Sequence, residues 1–110
     1  MKTIKDVNFD KHPIIPDTII GTLEIGDFTV SIIQGNRTYS SADTYEVAVF
    51  DETQSGKDAD AQLWLGEDGN IRGWQSPEEI DNLLRILQFN PEILRQRSAV
   101  LRKQHEEQYG

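Results

Sequence analysis

Residues 71–87 read IRGWQSPEEIDNLLRIL, and the junction in the middle of this stretch decides the fold. Ile71-Arg72-Gly73 has the short, extended character of a strand end. Ser76-Pro77-Glu78-Glu79 is a helix start: serine at the cap, proline at the first helical position, and glutamate three residues after the serine. That is the capping-box arrangement, and two acids in the first turn also suit the positive end of the helix dipole. Ile80, Leu83, Leu84 and Leu87 follow at helical spacing, an apolar stripe that has to lie on a sheet. Asn90-Pro91-Glu92 repeats the cap-then-proline signal, so a second helix begins near 91. Its apolar residues, Ile93, Leu94, Val100 and Leu101, are sparse, and beyond Arg102 it is polar all round. The expectation is a first helix over 77–88 packed on a sheet. A second, over 91–106, projects and meets a neighbouring subunit in a homodimer or higher homo-oligomer.

The sheet is legible upstream. TIIGTLEI (18–25) and FTVSIIQ (28–34) are rich in β-branched and aromatic residues, and Gly26-Asp27 between them suits a two-residue type II′ hairpin turn. Phe28, Val30 and Ile32 share one face of the second strand. YEVAVFD (45–51) is apolar on both faces, as in a central strand. AQLWL (61–65) reads as a fourth strand, Asp68-Gly69 as a turn, and 71–73 as a short fifth strand. Residues 1–17, polar and holding Pro13 and Pro16, read as an extended or mobile arm, and loop 52–60 as a mobile acidic loop. The fold class is therefore α+β: an antiparallel meander of four to five strands within 18–73, then two helices within 76–108, the first on the sheet. All 110 residues form one domain.

Charge and composition narrow the function. The net charge of −8 is concentrated in residues 41–82, where eleven acids face only Lys57 and Arg72, a net of −9. Phosphate backbones would be repelled by that region, so direct nucleic-acid binding is not expected. A partner with a basic surface would be attracted. There is no cysteine, which excludes disulfides and Cys-based zinc sites and favours a reducing compartment. The start, MKTIKDVNFDKHPIIPD, has no apolar signal core, and no segment approaches the roughly 18 apolar residues of a membrane helix. The expected location is the cytoplasm, with no membrane partner.

No catalytic signature is present. His12 and His105 lie at opposite ends of the chain and read as surface residues. Asp58-Ala59-Asp60 and Glu67-Asp68-Gly69-Asn70 do not fit a calcium loop and read as turns. Gly21 and Gly35 open no phosphate loop, and Ser40-Ser41 sits in no nucleophile elbow. The expectation is a protein that is not an enzyme and needs no cofactor or metal. What remains is a binding constellation. Loop 34–44, QGNRTYSSADT, is long for a hairpin connection and offers Arg37, Tyr39, Ser40 and Ser41, while Arg72 and Trp74 stand where the sheet hands over to the helix. Arg37, Tyr39, Arg72 and Trp74 would together suit a phosphate or nucleobase. The plainer expectation is that Trp74 seals the sheet–helix junction and the two arginines are solvated.

A β-rich first half with a YEVAVFD strand, followed by I-R-G-W-Q-S-P-E-E-I and a helix, resembles small accessory proteins of phages and prophages over roughly residues 18–87. Those with known roles are often anti-defence proteins: anti-CRISPR inhibitors that bind an effector, or anti-Thoeris sponges that sequester a cyclic ADP-ribose-type signal. The resemblance singles out no functional residue. It implies either an inhibitor that binds a host protein in the host cytoplasm, or a sponge for a small nucleotide.

Overall fold

Five antiparallel strands run in sequence order across one sheet: Asp10–Lys11 (β1), Thr18–Ile25 (β2), Phe28–Gly35 (β3), Tyr45–Asp51 (β4) and Arg72–Gln75 (β5). Two helices follow, Pro77–Phe89 (α1) and Pro91–Tyr109 (α2). The structure, a computed structural model, describes residues 1–35, 38–53, 62–66, 69 and 71–109. The architecture is the α+β meander with two C-terminal helices, the first packed on the sheet, that the sequence implies.

The β2–β3 hairpin closes at Ile25 and Phe28, and Gly26 takes a φ of +57° while Asp27 does not turn positive. One positive φ at the first turn position separates a type II′ from a type I′ turn and explains the glycine. From this turn the pleat sends alternate residues inward. Leu23, Val30 and Val49 form one buried row, and Gly21, Ile32 and Val47 the next. α1 covers this face with Ile80, Leu83, Leu84 and Leu87, all buried. Burying each such side chain stabilises by roughly 1.5–3 kcal/mol. No element covers the opposite face among the described residues, which presents Thr22, Glu24, Ser31, Glu46 and Phe50 by the same alternation.

Both halves of the α1 capping box are made. Glu79 N–H donates to Ser76 Oγ, and Ser76 N–H donates to Glu79 Oε1, each at 3.1 Å. Ser76→Ala is expected to lower the unfolding free energy by about 0.5–2 kcal/mol and to leave binding unchanged, checked by urea denaturation beside a binding assay.

Three expectations need correcting. Of the strand expected at 61–65, the described residues 62–65 form none. Gln62 makes an isolated bridge to Phe50, and Leu63 N–H donates to the Val49 carbonyl at 2.8 Å. The next backbone groups then leave the sheet: Trp64 N–H donates to Ser98 Oγ of α2, and the Leu65 carbonyl accepts from Arg72. Leu63 and Leu65 still point into the core, so the alternation was real but the ladder was not. β5 occupies the other half of the β4 edge, pairing Val47 with Arg72 and Tyr45 with Gln75 across an irregularity.

The arm is also fixed in place, not free. Thr3 caps a tight helical turn at Ile4–Asp6, Ile4 N–H donates to Asp81 of α1, and Lys2 exchanges two hydrogen bonds with Gln88. β1 then pairs with β2, and Phe9 stacks on Tyr45 at 5.6 Å. The sheet thus spans 10–75, wider than the 18–73 expected.

Finally, α2 docks on its own chain. Leu94, Ser98 and Leu101, spaced four and three residues apart, form a buried seam, and Arg95 bonds Asp51 at the end of β4. Only Ile93 and Val100 of the four apolar residues stay exposed, so Leu94 and Leu101 are not available to a neighbouring subunit. A serine at the centre of the seam hid it from an apolar count. The acidic turns at 58–60 and 67–68, and most of the loop 52–60, lie outside the described residues.

Candidate functional site

The connection from β3 to β4 is braced by its own polar side chains. Gln34 Nε2 donates to the Ser41, Ala42 and Thr44 carbonyls at 3.0–3.1 Å. Ser40 Oγ accepts from Gly35 N–H, and Ser41 N–H donates to Thr44 Oγ1. The hydroxyls that the sequence offers to a ligand are thus committed to holding the loop, and the large exposed side chain among its described residues is Tyr39.

Tyr39 meets Trp74. The rings lie edge to face, centroids 5.4 Å apart and planes at 62°. Trp74 N–H donates to the Tyr39 carbonyl at 2.7 Å, and Tyr39 N–H donates to Glu46 Oε1 at 3.2 Å. Glu46 sits between Tyr45 and Val47 on β4, so it points to the uncovered face, where its carboxylate reaches the Tyr39 backbone. Gly73 makes this approach possible: a Cβ there would lie 2.5 Å from Tyr39 Cβ.

Trp74 does not seal the junction. It is 59% exposed, and Tyr39 is 57% exposed. Its φ is +49°, the left-handed region that costs a non-glycine residue about 1–3 kcal/mol. The bulge between Tyr45 and Val47 rotates the indole outward, while Gln75 regains the sheet register. Replacing Trp74 with glycine removes that strain but also the ring contact, worth about 0.5–1.5 kcal/mol. The two offset, so Trp74→Gly is expected to change the unfolding free energy by no more than about 1 kcal/mol, in either direction. A loss above about 2 kcal/mol in thermal denaturation would make the ring a structural part.

Arg72 does not join the pair. Its partner across the ladder is Val47, whose side chain is buried under the helices, so Arg72 faces the same way. Its Nη2 donates to the Leu65 carbonyl at 2.8 Å. Burial pushes its pKa below the ordinary guanidinium value, Arg97 of α2 adds to that shift, and Glu79 of α1 opposes it. It is a half-buried tie, not a solvated cation. Arg37 lies outside the described residues. The sequence-predicted quartet thus splits: Tyr39 and Trp74 come together, and Arg72 is on the other side of the sheet.

Sequence reasoning missed Glu46 and Gly73. Glu46 could have been found from the strand alternation, which puts it on the face opposite Val47. The role of Gly73 depends on a contact between residues 34 positions apart and has no local signal. Among the described residues Glu46 has no ion pair, no group of three or more acids or histidines could hold a metal ion, and no helix is long and apolar enough to cross a membrane. His105 is exposed, with its ring 4.9 Å from that of Trp64.

Comparison of the chain with protein-family models, with curated proteins and with solved structures found no match.

Proposed function

We propose that this is a small acidic, non-catalytic binding protein, phage- or prophage-encoded, that inhibits a host defence component in the host cytoplasm by occupying a basic protein surface. The observation that carries the reading is the Tyr39–Trp74 pair: two large rings, each more than half exposed, held outward by a strained backbone beside a carboxylate. Aromatic anchors of this kind dominate protein interfaces, and strained residues held in place by their surroundings cluster at functional positions. A small-molecule site would normally enclose its ligand. The acid excess of residues 41–82 supplies attraction to a basic partner and repulsion of nucleic acid. The phage resemblance adds the biological setting.

The alternative, sequestration of a cyclic ADP-ribose-type nucleotide, called for Arg37 and Arg72 to converge on the rings. The bond from Arg72 to the Leu65 carbonyl removes one of the two cations and favours the protein partner. Self-association belongs to the same reading through Ile93 and Val100, two turns apart and both exposed on α2. Sedimentation at micromolar concentration should then show a species heavier than the 12.5 kDa chain. Native mass spectrometry of protein purified from cells that carry its host partner tests the function itself. The expected result is a complex with a second polypeptide and no small adduct. A retained mass of nucleotide size, with no second polypeptide, would replace the inhibitor with the sponge.

A further inference from the structure

We infer that Tyr39, Trp74 and Glu46 form a half-cage for one arginine side chain of the protein partner. The inference rests on the proposed binding role and names the chemistry of its central contact. The sign of the ligand follows from what surrounds the rings. Aromatic faces carry negative potential and attract a cation placed over them. Among the described residues, the charged group bonded to this segment is the Glu46 carboxylate, which accepts from the Tyr39 backbone N–H, whereas Arg72 faces the helices. Two rings at 62°, each more than half exposed, make two walls of a corner.

Arginine suits this corner better than lysine. Its planar guanidinium is weakly hydrated, stacks on an indole face and can present two N–H groups to a carboxylate at the same time. The net charge of −9 over residues 41–82, which contain Glu46 and Trp74, would draw such a side chain in. The two backbones are tied before the partner arrives, Trp74 N–H on the Tyr39 carbonyl, and the rings already rest edge to face on one another. Rings already in place lose little entropy on binding.

The test is a titration of the isotope-labelled protein at low salt with an acetylated, amidated Gly-Arg-Gly-Arg-Gly peptide, its lysine counterpart and its glutamate counterpart. Nuclear magnetic resonance follows the Trp74 indole N–H and the Tyr39 amide. Trp64→Phe assigns the two indole signals. The expected result is saturable movement of both reporters with the arginine peptide, weaker movement with lysine and none with glutamate. Tyr39→Ala should weaken the arginine peptide by about tenfold and Glu46→Gln by about threefold, with folded spectra retained. If basic peptides bind but move signals elsewhere, and both substitutions leave affinity unchanged, the half-cage is wrong while the basic-partner reading stands. If no basic peptide binds at all, both fall.

Discussion

Replacing Arg95 with alanine is expected to lower the unfolding free energy by about 1.5–3 kcal/mol, the range for losing a charged hydrogen-bond partner, because the carboxylate is buried while the guanidinium stays 28% exposed. Arg95 Nε donates to Asp51 Oδ2 at 2.8 Å, and Nη2 donates to Oδ1 at 3.3 Å. Asp51 is 1% exposed at the end of β4. The guanidinium also lies 4.7 Å over the Phe28 ring and bonds Glu92. Without it, Asp51 keeps only the Thr53 hydroxyl and N–H. The pH dependence gives a second check. Burial pushes the Asp51 carboxyl up, but hydrogen bonds from Arg95 and Thr53, with the Arg95 charge, pull it further down, and its pKa ends below the ordinary value. A carboxyl with a lowered folded pKa adds stability above its unfolded pKa of about 3.9 and loses it as pH falls through the folded value. Stability should therefore decline in acid below about pH 4 in the parent. In Arg95→Ala the hydrogen bond and charge from Arg95 are gone while burial still pushes the carboxyl up, so the decline of stability in acid should be smaller than in the parent. Urea unfolding across an acid series reads both effects.

Leu84→Ala is the second large effect, about 2–5 kcal/mol, the range for a large-to-small change in a packed core. Leu84 is fully buried, in a cluster with Ile80, Leu83 and Leu87 on α1 and with the inward rows of the sheet. Ile86 on the same helix is 37% exposed, and Ile86→Ala should cost much less. Equal losses at 84 and 86, measured by urea denaturation, would mean that α1 faces the sheet with a different side.

These two predictions differ in how far the sequence foretold them. Leu84 was readable because the capping box at Ser76 fixed the start of α1, and the stripe then followed by counting. The β2–β3 hairpin was readable from Gly26 and the alternation beside it. The Asp51–Arg95 pair was not, since it joins residues 44 apart with no local signature. The α2 seam was missed because Ser98 holds its middle position, where the Trp64 N–H needs an oxygen and a leucine would give none. The N-terminal arm was missed because its hold comes from scattered contacts, hydrogen bonds to α1, a two-residue pairing with β2 and the Phe9–Tyr45 stack, with only Val7 buried. At the site, loop length and residue type pointed to Tyr39 and Trp74. Arg72 could not be placed without knowing its ladder partner, because a one-residue change of register moves a side chain to the other face.

The most direct test of a protein-binding role uses Trp74 as its own reporter. Trp64→Phe leaves it as the one indole in the chain. Its emission should be that of an exposed ring in the free protein. The arginine-rich peptide should change it at low salt and far less at about 0.5 M salt, where exposed charges are screened. A cyclic ADP-ribose-type nucleotide should leave it unchanged. Quenching by the nucleotide, with no response to the peptide at any salt concentration, would contradict the reading of this molecule as a binder of basic protein surfaces.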